Sequence, residues 1–353
     1  MGVGRALRSL SRSWYVCRIT CLSLFYQEFM SWSYVLDTLL EPWFRLGDYG
    51  TQALGPLFVL TVVSLNALVV GIAYLVGLPY YWRKNTQLAL GKDLGFGPGL
   101  VVVGQWFFVN MVFHFYRAWS LSPGSPPTTG QSLPQVSSIC KKCIAPKPPR
   151  THHCSVCQRC HLCMDHHCPW LDNCVGFFNH RHFFLYMVFT VLGCLFLMVF
   201  GLEVMLEALI TANPTIPVVN FWNNCPISTR SLVIFEAFLT SGCFLILGGL
   251  TLWHARLIHR GETSIEAHLN RSETRRLAVD GRVYRNPYDF SPYYNWCLFL
   301  GMIDGRGWRH VLLPSTHLPY GTGLEFDSIY SCDIPWNFPR VQNQPKRVPM
   351  KLA

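Results

Sequence analysis

Residues 140–174 read CKKCIAPKPPRTHHCSVCQRCHLCMDHHCPWLDNC, and eight of the chain's 15 cysteines with five of its 13 histidines fall in this stretch. Cys140 and Cys143 are separated by two residues, as are Cys154 and Cys157. Pairs at that spacing let two thiolates grip one tetrahedral zinc from a tight turn. Two zinc ions need eight ligands, and the stretch offers thirteen. Spacing alone leaves open which residue serves which metal and which thiol stays free. The stretch lacks the aliphatic periodicity of a buried core. A disulfide framework would suit a short secreted chain, but no apolar signal segment with a small-residue cleavage site follows the basic start. The thiols therefore read as metal ligands or nucleophiles in a reducing compartment.

Outward from this module the sequence turns apolar. Charge-free or nearly charge-free runs cover Leu57 to Leu78, Leu100 to Tyr116, Phe183 to Leu202 and Ala237 to His254. Each has the length of a spanning helix and none has the polar face of a soluble one. The whole composition agrees: 50% of residues are hydrophobic and 14% charged, against about 25% charged in soluble domains. With an excess of +10, anionic lipid headgroups or an anionic cofactor are the expected partners, not nucleic acid. Trp14 to Leu40 is aromatic-rich but broken by Arg18, Glu28 and Asp37, so it is expected to lie at the interface without spanning.

Lys and Arg set the orientation. The connection between the first two spans holds Arg83, Lys84 and Lys92, and that between the last two holds only Arg230. The N-terminal region holds Arg5, Arg8, Arg12, Arg18 and Arg45, and the segment from Arg117 to His182 holds seven. Both termini and the cysteine-rich module are thus expected in the cytosol. Ser122 to Pro134 reads as a linker, and the tail from about Glu325 shows little periodicity.

The run Asp165-His166-His167-Cys168-Pro169-Trp170, behind this cysteine pattern and between two spans, resembles the DHHC protein S-acyltransferases. The resemblance covers roughly residues 57–300. It implies an all-α integral membrane protein with four transmembrane helices and a cytosolic zinc-binding cysteine-rich domain between helices 2 and 3. It implies one structural Zn2+ on Cys140, Cys143, His153 and Cys160, and a second on Cys154, Cys157, His167 and Cys174. Cys168 is then the thiol that takes the acyl group from palmitoyl-CoA, with His166 as its base and Asp165 orienting His166. A thiolate attacks a thioester best when an adjacent base takes its proton. His167, as a ligand, cannot also be that base. The implied partners are acyl-CoA, the bilayer and substrate proteins with membrane-proximal cysteines. The resemblance leaves an accessory subunit or a homo-oligomer open.

The expected order is a cytosolic N-terminal region (1–56), helices 1 and 2 (57–119), linker and zinc domain (120–182), helices 3 and 4 (183–258) and a cytosolic C-terminal region (259–353). Cys163, where the family often has Lys or another non-ligand residue, is expected to be idle, the alternative being that it is itself acylated. Asp172 stands where the family has Asn and places an extra negative charge near the site. Thr263-Ser264-Ile265-Glu266 is a capping-box pattern after a glycine stop. It also resembles the family's Thr-Thr-x-Glu motif, which supports the catalytic pair. Asn295 in Asn295-Trp296 resembles the family's C-terminal aromatic motif and is expected to tie the tail to the membrane unit. Arg260 to Thr263 and Leu312 to Ser315 resemble one numbered member, an endoplasmic reticulum and Golgi enzyme. Among intramembrane polar residues, Asn66, Asn110, His114 and His254 are expected to bridge helices, with Asn110 or His114 lining an acyl cavity. Arg150, Arg181 and Lys147 are candidates for the phosphates of CoA.

Three rivals remain. A zinc-module adaptor or membrane ubiquitin ligase would show longer gaps between ligand pairs. A non-catalytic scaffold would not need the intact Asp165 to Cys168 run. A transporter would carry charges deep in its spans.

Overall fold

The computed structural model describes residues 14–21, 32–88, 96–127, 133–211, 228–303 and 305–330. Lys92, Arg5, Arg8, Arg12, part of the linker, and the tail beyond residue 330 lie outside these. The chain divides into two compact units, Met1–Leu54 and Gly55–Ala353. In the first, a short helix covers residues 14–21 (α1), and Glu41 and Arg45 pair at 2.6 Å one turn apart, a spacing that supports a solvated helix.

Among the described residues, four helices are long and apolar enough to cross a membrane. Helix α2 (Trp32–Ile72) runs through a π-helical turn (Ala73–Gly77) into α3 (Leu78–Leu88). Pro79 explains the turn. Its ring lacks an N–H and clashes with the carbonyl four residues back, so the ladder widens here and the Leu78 N–H reaches Ala73 O. The first candidate span, Leu39–Arg83, starts well before the charge-free run, so the segment up to Leu40 overlaps a helix that the sequence pattern placed later. Helices α4 (Phe96–Ser120), α5 (His180–Ile210) and α6 (Thr229–His259) supply the others. Helix α5 packs against both α4 and α6. Outward side chains such as Phe238, Leu245 and Ile246 remain more than 70% exposed, as lipid-facing residues must be.

Between α4 and α5 sits a module of three two-stranded antiparallel hairpins, each strand three residues long. They pair Ser138–Cys140 (β1) with Ala145–Lys147 (β2), His152–Cys154 (β3) with Arg159–His161 (β4), and His166–Cys168 (β5) with Asn173–Val175 (β6). Strands this short do not stand alone in water. The module is fastened to α4 by Asn173 and Asn179, whose amides donate to the carbonyls of Ala118, Trp119 and Leu121, groups the helix itself leaves unpaired. After α6 come α7 (Ser264–Val279), α8 (Pro292–Leu300) and the single turn α9 (Arg309–Leu312).

Gly261, between α6 and α7, takes φ +64, and a Cβ there would overlap the carbonyl oxygen of Tyr288. Gly281 has nearly the same φ, +65, and open space around it. Gly281→Ala therefore meets only backbone strain, about 1–2 kcal/mol. Gly261→Ala adds a collision and is expected to lower the thermal midpoint in detergent by several degrees more. Equal shifts would show that the Tyr288 loop moves aside freely.

Candidate active site and metal centres

The sequence of the module repeats every 14 residues. Cys140, Cys154 and Cys168 open successive units; Ile139, His153 and His167 precede them; Cys143, Cys157 and Leu171 follow three residues later. Ile144, Gln158 and Asp172 occupy one place in each unit and all have positive φ, 52, 55 and 46. They turn each hairpin in the left-handed region, where Asn and Asp are favoured. Asp172 is thus a turn residue, and its carboxylate lies where a Cβ on Gly55 would fall.

The repeat builds two like sites. Cys140, Cys143, His153 and Cys160 bring one ligand atom each within 4.8 Å of the others, and so do Cys154, Cys157, His167 and Cys174, each displaced by one unit. The hairpin register sets His153 opposite Cys160 and His167 opposite Cys174. Zinc at about 2.3 Å from sulfur and about 2.0 Å from nitrogen would set tetrahedral edges of roughly 3.8 Å between sulfurs and roughly 3.5 Å from sulfur to nitrogen. In the first set Cys143 and Cys160 Sγ are 3.7 Å apart, and His153 Nδ1 lies 3.7, 3.2 and 3.9 Å from Cys140, Cys143 and Cys160. In the second, Cys157 and Cys174 Sγ are 3.5 Å apart, and His167 Nδ1 lies 3.4 and 3.5 Å from them. Both sets fit a zinc closed by four protein ligands, which leaves no position for water and makes the metal structural. Cys168 opens a third unit that lacks its second cysteine, so its thiol belongs to neither set.

Strand alternation places the rest. In β5 successive side chains point to opposite faces, so His167 turns to the metal while His166 and Cys168 share the other face. His166 Nδ1 donates to Asp165 Oδ2 at 2.6 Å. Burial alone would push His166 down, but its hydrogen bonds to Asp165 and to the Cys168 thiol raise it to about 9. The imidazole can therefore keep a proton taken from that thiol. Asp165 is 1% exposed. Burial works against its charge, yet His180 and the His166 hydrogen bond hold its carboxyl well below the usual carboxylate range.

The N-terminus of α7 completes this support. Thr263 caps the helix and Glu266 reaches back to the Thr263 N–H, a full capping box. Ser264 N–H donates to Asp165 Oδ1 at 2.7 Å and its hydroxyl donates to Oδ2 at 3.0 Å. A carboxylate at a helix N-terminus gains from the dipole as well. The capping and supporting readings of this motif coexist. A hydrogen bond to a charged group contributes about 1.5–3 kcal/mol. With the backbone bond remaining, Ser264→Ala is expected to slow acyl transfer about tenfold and Ser264→Thr to restore it. An unchanged initial rate of CoA release in Ser264→Ala would mean the hydroxyl does not hold Asp165.

A DHHC palmitoyltransferase domain matches residues 135–271. Palmitoyltransferase ZDHHC16 of Mus musculus is 43% identical over 324 residues, 91% of this chain and 87% of that protein. ZDHHC16A of Danio rerio is 38% identical over 364 residues, 92% and 91%. ZDHHC16 of Homo sapiens is 41% identical over 339 residues, 91% and 88%. The chain belongs to the DHHC palmitoyltransferase family. These relatives carry the number to which the Arg260–Thr263 and Leu312–Ser315 segments pointed.

In this DHHC chain the membrane helices enclose a cavity of about 870 Å³ that is lined by His166, Cys168 and Trp170 and extends to Tyr81, Trp82 and Glu236. Of the intramembrane polar residues, Asn66 lines it; Asn110 and His114 do not. Asn66 and Asn110 bond back to their own helix, at Val62 O and Trp106 O. Two make the expected bridge between helices: Asn66 also meets the Tyr186 side chain of α5, and His114 meets His182 at 2.9 Å between Nδ1 atoms. His254 instead stands beside the catalytic-motif histidine, its ring 5.9 Å from that of His166.

Two of the three cations offered for CoA are engaged by the protein. Arg150 forms a bidentate pair with Glu266, both bonds at 2.6 Å, donates to Gly261 O and lies over the Tyr288 ring. Arg181 is buried and donates to the carbonyls of Ser315 and His317. Arg150 joins zinc module, α7 and tail, a role invisible in sequence because its partner lies 116 residues away. Asn295 is buried, donates to His259 O and Asp289 Oδ1, and accepts from Phe290 N–H.

Proposed function

We propose that this DHHC acyltransferase works in two steps through Cys168. The Cys168 thiol gives its proton to His166 and attacks the thioester carbonyl of a long-chain acyl-CoA. The sulfur–carbonyl bond to CoA breaks, and CoA leaves as a thiol by taking a proton. A cysteine thiol of a membrane-proximal protein then attacks acyl-Cys168, restoring the free thiol. Asp165 holds His166 in the tautomer whose other nitrogen meets the sulfur, the logic of a triad with sulfur as nucleophile. Thr263, Ser264 and Glu266 hold Asp165, and Asn295 holds the segment after α6 against the membrane unit. Zinc on the two Cys3His sets would fix the hairpins that carry these groups. The distribution of Lys and Arg supports a cytosolic active site and cytosolic termini, and the membrane is that of the endoplasmic reticulum or Golgi.

One observation carries this reading: the thiol that neither metal set uses shares a strand face with an imidazole held by a buried carboxylate, and both line an apolar cavity. The test is single-turnover kinetics on the purified chain with palmitoyl-CoA and no protein acceptor. CoA release is expected as a burst of about one per chain, matched by one hydroxylamine-labile acyl group, and a cysteine peptide then discharges it. Zinc-loaded protein that gives no burst would overturn the proposal.

A further inference from the structure

Asp165, His180 and His254 come from the zinc module, from the first turn of α5 and from the cytosolic end of α6, yet their ligating atoms lie within 4.8 Å of one another. The proximity that gathers the two Cys3His sets gathers, among the described residues, this one further group. All three residues are buried, at 1, 8 and 3% exposure. Asp165 Oδ1 is 3.9 Å from His180 Nε2, too far for a hydrogen bond. His180 Nε2 and His254 Nδ1 are both buried without a hydrogen-bond partner among the described residues. Buried polar atoms in native proteins are nearly always satisfied, and those that are not call for a water or an ion. Two imidazoles and one carboxylate with open positions form a set that suits divalent transition metals, and with no thiolate in it the set differs from both structural sites.

The geometry points to a third cation site here, in which Asp165, His180 and His254 take a divalent transition metal such as zinc and the filled site holds the acyltransferase off. Asp165 is the reason for the second half. The same carboxylate orients His166 through Oδ2. A dication on Oδ1 draws its charge away and weakens the Oδ2 bond that aims the His166 ring. The filled site therefore loosens the arrangement of His166 against Cys168 that acyl transfer needs. The binding half rests on geometry alone; the inhibitory half rests on the acyl transfer proposed above.

The test uses the full chain in detergent, dialysed to its tightly held zinc and then equilibrated with buffered free Zn2+, with bound metal counted by mass spectrometry. Wild type is expected to gain one zinc per chain over its baseline. Cys168→Ser gains the same one, which excludes capture by the free thiol. His254→Ala and His180→Gln keep the baseline, which reports that they are folded, and gain none. No gain in wild type, or an equal gain in both histidine variants, overturns the site. Co2+ in place of the added zinc is expected to give visible d–d bands without the near-ultraviolet bands of a cobalt–thiolate; thiolate bands would assign the ion elsewhere. Autoacylation of wild type is expected to fall at least tenfold as the third ion binds. A constant rate with the ion bound overturns the inhibitory half. If wild type never forms acyl-Cys at any zinc level, the acyl-transfer reading is what fails, and the metal count still decides the site.

Discussion

Cys168→Ser is expected to abolish both the CoA burst and the hydroxylamine-labile label while keeping the wild-type zinc content. The loss is complete because every other thiol of the module either belongs to a metal set or is held protonated by burial. Seven of the eight cysteines between 140 and 174 are not candidates: six lie in the two metal sets, and the seventh is Cys163. Cys163 is 9% exposed and sits at a left-handed φ of 44. Burial pushes its thiol up to about 12, and the neighbouring Arg150 does not offset this. A thiol held so far above neutral pH supplies almost no thiolate, and the thiolate is the nucleophile. Cys163→Ser should therefore label like wild type. Cys168 shares its strand face with His166, lines the cavity, and belongs to a cluster with Phe183, Phe184 and Met187 that keeps water from the thioester. Label surviving in Cys168→Ser would move the acyl carrier to Cys194 or Cys243, which line the same cavity.

The candidate ligands stand together in a run of 35 residues, so metal binding was legible locally. Which residue serves which metal and which thiol stays free came only from the family resemblance, because spacing left both open. The four spans were legible locally too, since twenty apolar residues in a row have few other uses. What escaped the sequence depends on long-range partners. Arg150 looked like a phosphate ligand because its carboxylate, Glu266, arrives from beyond two membrane helices. Arg181 looked free because the carbonyls it serves belong to the tail. His180 and His254 look like any histidines near a membrane edge until α5 and α6 bring them to Asp165. One signal lay in the sequence unused: the 14-residue repeat aligns Thr151-His152-His153-Cys154 with Asp165-His166-His167-Cys168. Read that way, it marks Cys168 as the cysteine whose unit is left incomplete.

His167→Ala is expected to release both zinc ions, not one, and to take acyl transfer below detection. The two sets interleave: β3 gives His153 to the first and its neighbour Cys154 to the second, and β4 returns Cys160 to the first. Loss of the second metal frees Cys154 and Cys157 and with them the strand that presents His153. Little else would hold the hairpins. The buried cluster under the second set consists of Cys154, Met164 and Cys174, so two of its three members are ligands themselves. Binding of structural zinc contributes about 10–16 kcal/mol, as much as the whole stability of an ordinary domain. A module of three-residue strands has no other term of that size. The measurement is zinc per chain after gel filtration, with the CoA burst on the same sample. Two ions in wild type and close to none in His167→Ala is the expected pair of values. One ion retained by the variant, on Cys140, Cys143, His153 and Cys160, would show the hairpins to fold independently. Transfer at the wild-type rate with one ion would mean that the α7 N-terminus and Arg150 can position Asp165 and His166 without the second metal.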